Sequence, residues 1–386
     1  MNYCFGRPKR PPDALAFLIL QKRRLGGMER RFARLATHLR DSGIPVRVVT
    51  TRATLLSLRS SGINLRRGDV ELLDVPLGRH WLSELGGTSP KWQWALLIAG
   101  LRTGWLTRRW RRRYLHMHVV HDPGLVTSAM SRSADRLPPL SSTIADSRSS
   151  YESTRLRGLA RFSRVDCLSD SIRDHAVREA QRVGAGDLSG KARVSPGSFV
   201  EARNGDQLPM VSRSRDVVFA SRMVEGKGIE LLEEMEPLPP GISFYIYGQG
   251  PLAPRVPGAT REFTEHLPDV LAEAKVFLSL QSGENYPSQS LLEAMTAGCA
   301  VIATDVGETE KLVDGSTGVL IPPGHPGELR AAILSLLGDV ERAQQLGENA
   351  RRRVLEKHTV EAFGAYFLRD VATSELATRL VDTEFV

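Results

Sequence analysis

Cysteine is scarce: Cys4, Cys167 and Cys299 are the three in 386 residues, scattered, with no CxxC pair and no His-rich spacing beside them. That excludes a disulfide framework and a structural zinc site, and it fits a reducing compartment. No apolar run approaches the ~20 residues needed to span a bilayer. Arg7, Lys9 and Arg10 precede the run ALAFLIL, which superficially suggests a secretory leader. The run is short and QKRR follows at once without a small-residue cleavage site, so a first β-strand in a cytoplasmic chain is expected. Short repeats and low-complexity tracts are missing. There is no GxGxxG fingerprint, which argues against a dinucleotide oxidoreductase. No DxD-type acidic pair stands in a context that suggests a divalent cation, so no metal site is expected. Basic residues occur without RNP, zinc-finger or helix-turn-helix context, so nucleic acid is not an expected partner.

The composition, 41% hydrophobic and 25% charged, is that of a soluble globular protein, and the length suggests two domains. The net charge of +8 conceals a split. Residues 1–200 hold 35 Lys+Arg against 16 Asp+Glu, and the remainder holds 17 against 28. The basic half is suited to an anionic partner. ALAFLIL reads as a buried strand. RLGGMER then turns into a helix with Met28, Phe32, Leu35, Ala36 and Leu39 on one face, and GIPVRVVT is the next strand. LHMHVVHD, STIAD and VDCLSDS continue the same sheet. Residues 201–216 lack either periodicity and read as a linker. After it DVVFASR, ISFYIYGQG, KVFLSL, AVIATD and TGVLIPP alternate with helical stretches. Both halves therefore read as α/β units with parallel, doubly wound sheets. Ligands in such sheets bind beyond the carboxyl ends of the strands, which directs attention to the loops there.

Three of those loops carry candidate chemistry. In ENYPSQSLLEAM (284–295), Ser288, Gln289 and Ser290 fall in a first helical turn, with Pro287 at its start. Their orphan N–H groups and the helix dipole suit a phosphate. Glu293, about one and a half turns in, could accept two ribose hydroxyls, and Glu284 could reach a sugar beyond the phosphate. The alternative makes both ordinary solvated acids. In ASRMVEGKG (220–228), Arg222 and Lys227 flank a bend and could neutralise a diphosphate. Otherwise they are two cations in a flexible loop. Gly26-Gly27, at the first strand–helix turn, would let backbone approach a ligand closely.

Taken in order, GGMER (26–30), SRMVEGKG (221–228), YGQGP (247–251) and the stretch 284–324 resemble the retaining GT-B glycosyltransferases of the large "group 1" family. RFSRVDCLSDSIRDHAV looks like that family's last N-domain strand and helix. The resemblance implies an α/β, GT-B architecture of two Rossmann-like domains facing across a cleft. Residues 1–205 would form the acceptor-side domain, with a C-terminal helix (about 361–386) packing back on it, and 206–360 the nucleotide-sugar domain. It also implies a metal-independent, hexosyltransferase-like enzyme without a cofactor, taking a nucleotide-diphosphate sugar by front-face attack. By family correspondence Arg222 and Lys227 hold the diphosphate, Glu293 the ribose and Glu284 the donor sugar. Gly27 presents its amide to the phosphate, and backbone around 261–265 holds the base.

The chain departs from the family pattern at several points. The acids are spaced Glu-x8-Glu, one residue longer than usual, and NYPSQ replaces a Gly-aromatic-Gly run. Ser221 stands where the family has Gly. Ala145 stands where the family commonly has an acceptor-side His, a role that His118, or His121 with Asp122, could fill. Residues 90–114 combine Trp92, Trp94, Trp105 and Trp110 with six arginines. They read either as a helix lying on an anionic membrane or as a packing helix with a basic end. The first reading favours a lipid-linked or cell-surface glycan precursor as acceptor, in polysaccharide biosynthesis at the inner face of the cell membrane. The competing readings are a sugar-nucleotide epimerase on the same fold and a degenerate relative that binds sugar nucleotide or a partner without transfer.

Overall fold

Asp13–Leu18 (β1) is buried at every position, as a strand covered on both faces must be. The computed structural model describes residues 13–20, 27–73, 97–120, 129–145, 153–200, 208–252, 254–264, 266–284 and 286–369. The chain divides into two compact units, one running to Ser195 and resuming at Gly364, the other spanning Pro196–Phe363.

The first unit continues from β1 through α1 (Gly27–Asp41), β2 (Val46–Thr50), α2 (Arg52–Ser60) and β3 (Val70–Leu72). Then come α3 (Trp105–Arg113), β4 (Tyr114–Val119), β5 (Leu140–Ile144), α4 (Ser153–Leu159), β6 (Arg164–Cys167), α5 (Asp170–Arg182) and β7 (Ala192–Val194). The sheet is wholly parallel in the order β3-β2-β1-β4-β5-β6-β7. Serine and threonine caps start the helices where the pattern changes period. Thr51 Oγ1 accepts from the Thr54 amide at α2, and Ser169 Oγ from the Ile172 amide at α5. On α1 the buried face is Phe32, Leu35, Ala36 and Leu39, as the periodicity predicts, with Met28 half-buried at its rim.

The second unit holds β8 (Arg215–Ala220), α6 (Ile229–Glu234), β9 (Phe244–Tyr247), β10 (Ala259–Glu262), α7 (Leu267–Ala272) and β11 (Ala274–Ser279). After these come α8 (Gln289–Thr296), β12 (Ala300–Thr304), β13 (Gly318–Ile321), α9 (Pro326–Gly338) and α10 (Val340–Lys357). Its parallel sheet runs β10-β9-β8-β11-β12-β13. Helix α11 (Val360–Leu368) begins in this unit and ends in the first.

Three sequence expectations are corrected. The strand in RFSRVDCLSDS is not the last of the first unit, because the short β7 lies beyond it at the sheet edge. Residues 90–114 are not one helix. Residues 97–102 are helical, Gly104 turns the chain at φ +70°, and α3 starts afresh. A Cβ on Gly100 would lie 2.5 Å from Leu106 Cδ1, so glycine permits this tight junction. Residues 208–216 are not all linker: 210–212 form a single 3-10 turn, and β8 already begins at Arg215. Met210 is buried, and the buried Arg213 guanidinium donates to the carbonyls of Ala274 (2.7 Å), Ala297 (2.9 Å) and Leu208 (3.1 Å). One cation here satisfies three carbonyl oxygens, two of them where elements begin or end. Among the described residues, no helix is long and apolar enough to cross a membrane.

Candidate active site

At the carboxyl ends of β8, β9, β11 and β12 four loops interlock. The Ser282 amide donates to the Gly226 carbonyl at 3.3 Å, tying the β11 loop to the β8 loop. The Met223 amide donates to Gln249 O at 3.0 Å, tying β8 to β9. Thr304 Oγ1, at the end of β12, donates to Gln281 O at 2.6 Å. Glycines allow the close approach. A Cβ on Gly228, which sits at φ +86°, would lie 2.0 Å from Leu280 O. On Gly250 it would lie 2.1 Å from Met223 O. Gly307, at φ +57°, would place a Cβ 2.7 Å from Glu284 Cγ, so this glycine makes room for the acid.

Within this rim Lys227 is buried to 6% exposure, and its Nζ donates to Gln281 Oε1 at 2.8 Å. A buried ammonium is costly unless it is hydrogen-bonded, and Gln281 supplies a neutral acceptor for it. Arg222 is exposed, and no side-chain hydrogen bond or ion pair holds it among the described residues. Glu284 is half-buried in the loop after β11.

Ser288 is the N-cap of α8 and Gln289 its first residue, so Pro287 lies just outside the helix. Ser288 Oγ and Ser290 Oγ are 3.4 Å apart, and neither hydroxyl caps the helix. The first amides of α8 thus lack side-chain caps. The Gln289 side chain is a bridge. Its Nε2 donates to Glu293 Oε1 at 3.0 Å and to Phe199 O at 3.3 Å, and Ser198 Oγ donates to its Oε1. Glu293 is half-buried one turn further on, its orientation set by Gln289.

The second unit therefore places Arg222, Lys227, Glu284, Ser288, Gln289, Ser290 and Glu293 in the loops and helix that follow the two central strands, β8 and β11. In the first unit, Gly27 opens α1, is exposed, and an added Cβ there meets nothing within 4 Å. Gly26, His121 and Asp122 lie outside the described residues, as do Trp92 and Trp94. His118 is wholly enclosed. Its Nδ1 is 2.8 Å from Ser141 Oγ and its Nε2 3.1 Å from Thr143 Oγ1, with the Phe32 ring stacked at 4.8 Å. It belongs to a polar cluster in which Arg164 Nε lies 2.9 Å from Asp166 Oδ1, and Tyr366 Oη donates to the same oxygen at 2.6 Å. Burial, then the charges of Arg164 and His116, push the His118 imidazole well below its ordinary pKa. Trp110 is buried too, donating from Nε1 to Glu71 Oε1 at 3.1 Å, so this face of α3 packs inward.

Sequence reasoning missed Gln281 and Gly307. Gln281 follows β11 by two residues, and a polar residue there beside a strand-end lysine is its only sequence signal. Gly307 gives none, because its partner is 23 residues away in the chain.

Comparison with solved structures shows the same architecture. Anabaena Alr3699/HepE, solved with UDP-glucose, superposes with a TM-score of 0.64 at 18% identity over 93% of this chain and all of that one. TarM superposes at 0.69 with 14% identity, over 93% and 98%. The fold is GT-B. Residues 214–339, which contain the whole rim, match the family model of glycosyl transferases group 1. Two curated relatives agree. Alpha-D-kanosaminyltransferase of Streptomyces kanamyceticus is 36% identical over 75 residues, 19% of each chain. Poly(ribitol-phosphate) alpha-N-acetylglucosaminyltransferase of Staphylococcus aureus (strain COL) is 27% identical over 165 residues, 37% of this chain and 32% of that one. The chain matches about a fifth to a third of the length of its curated relatives.

Proposed function

We propose that this protein is a retaining, metal-independent glycosyltransferase that moves a sugar from a nucleotide diphosphate to a hydroxyl of a lipid-linked or cell-surface glycan precursor. The observation that carries this reading is the buried Lys227 ammonium, held by Gln281 at the strand-end rim of the segment that matches the group 1 model. Arg222 and Lys227 would hold the diphosphate with the uncapped amides of α8, stabilising charge as the bond from the anomeric carbon to the leaving phosphate oxygen breaks. Glu293 would accept the ribose hydroxyls while braced by Gln289. Glu284, accommodated by Gly307, would orient the donor sugar for attack on the same face by the acceptor. HepE was solved with UDP-glucose, so a uridine nucleotide is the first donor to test. The relative from Staphylococcus aureus is named for a poly(ribitol-phosphate) acceptor, and the strongly basic first half here fits an anionic one. That charge also supports a peripheral place at the cytoplasmic face of a membrane.

The test is turnover with a panel of UDP-, GDP- and ADP-sugars and glycan acceptors, following nucleotide release and, by NMR, the anomeric configuration of the product. Retained configuration is expected, with sharply reduced turnover in Arg222→Ala and Lys227→Ala. Normal transfer in either variant refutes the assignment. Ala145 and the lengthened Glu-x8-Glu turn favour a second reading, binding without transfer, which would show as nucleotide affinity with no turnover of any donor.

A further inference from the structure

Six arginines, Arg47, Arg52, Arg59, Arg67, Arg109 and Arg113, line one cavity of about 840 Å³ in the first unit. It lies at the edge of the sheet, where β3 meets α2 and α3. One carboxylate, Glu71, shares the lining, and it is fully committed. Its Oε1 takes the Trp110 indole N–H and forms an ion pair with Arg109, whose Nε lies 3.0 Å away, and its Oε2 takes Arg113 (2.6 Å) and the Tyr114 hydroxyl (2.6 Å). Asp13, just outside the lining, holds Arg47 at 2.8 Å. Glu71 and Asp13 hold three of the six guanidiniums, and a concave site this rich in arginine concentrates positive potential. Three of the six are fixed in advance, Arg109 and Arg113 by Glu71 and Arg47 by Asp13, whereas Arg59 and Arg67 are exposed at the mouth. Fixed cations at the base lower the ordering cost of binding an oxyanion.

The remaining wall is apolar: Leu55, Leu56, Val70 and Leu72, with Leu56 57% exposed. A lone inorganic anion would use the arginines and leave this wall wet. We propose that the cavity is an oxyanion site for a phosphate mono- or diester carried on a carbon chain. It is separate from the strand-end rim of the second unit and contributed by the acceptor. Only the word acceptor rests on the transferase reading; the binding chemistry stands on the cavity itself. The phosphate oxygens meet the guanidinium forks, and the chain lies along Leu55, Leu56 and Val70.

The experiment is calorimetric titration of the full chain at low salt with two probes, sn-glycero-phosphoglycerol and dihexanoyl-phosphatidylglycerol below its micelle concentration. The same proteins are titrated with UDP. The wild-type chain is expected to bind at least one probe, with affinity that weakens as salt is raised. In R59E/R67E the loss should be about tenfold or more, in R59Q/R67Q smaller, with UDP affinity unchanged and unaltered melting showing that both variants fold. Binding of both probes alike points to a free phosphodiester chain, and binding of the acylated probe alone to a lipid; either supports the site. No binding of either probe by the wild-type chain, or equal binding by R59E/R67E, overturns it. Absence of UDP binding alongside arginine-dependent probe binding would instead remove the transferase reading and leave the site.

Discussion

Lys227 Nζ stands 2.8 Å from Gln281 Oε1, a buried ammonium held by a neutral side-chain acceptor. Such a pair fixes the position of the cation. Lys227→Ala is expected to lower kcat by about 10²-fold or more while leaving the melting temperature nearly unchanged. Gln281→Ala releases the lysine without removing it, so its loss should be smaller and should include KM. Steady-state kinetics on both variants separates the two roles.

Gly228 occupies left-handed backbone at φ +86° with no space beside it. Gly228→Ala adds about 1–2 kcal/mol of backbone strain and a collision with Leu280 O. The expected outcome is a loss of more than ~2 kcal/mol, read by urea unfolding, with the β8 and β11 loops displaced. Gly327, in the first turn of α9 with nothing within 4 Å of a Cβ, is the control. Gly327→Ala should be neutral or stabilising by up to about 1 kcal/mol.

His118 and His358 both sit below their ordinary pKa chiefly because burial disfavours the cation. The unfolded chain takes up these protons below about pH 6.5 while the native chain resists. Their stabilising contribution is therefore complete above that pH and is lost as pH falls, by up to about 1.4 kcal/mol per unit for each group. Unfolding curves at pH 7.5, 6.5 and 5.5 should show the decline. His118→Asn should lower stability at pH 7.5 and flatten the acid limb. An acid limb of undiminished slope in that variant would contradict the assignment.

Cys167 and Cys299 are buried, and burial pushes their thiols up, to about 12 and about 11. The thiolate is the reactive form, so both should be inert in the native protein. Ellman's reagent is expected to titrate at most one thiol per chain before denaturation and two more after it.

Much of this arrangement was legible in the sequence, for identifiable reasons. ALAFLIL, KVFLSL and AVIATD are continuous apolar runs, which only strands buried on both faces need. β10 was missed because ATRE is exposed at three of its four positions, and β3 and β7 because three residues carry no period. The cations and acids of the rim were visible as residue types placed just after strands. The contact of Gln281 with Lys227 and of Gly307 with Glu284 was not, because each joins loops that only the sheet order brings together. The basic stretch after residue 100 was half legible. Its charge was plain, but the buried Glu71 that gathers Trp110, Arg109 and Arg113 lies some 40 residues earlier in the chain.

Isothermal calorimetry with UDP, GDP and ADP, on the wild-type chain and on Lys227→Ala, tests most directly whether the rim is a diphosphate site. At least one nucleotide should bind the wild-type chain, with affinity reduced by about tenfold or more when the ammonium is removed. Absence of heat with all three, or identical affinities in the two proteins, would contradict it.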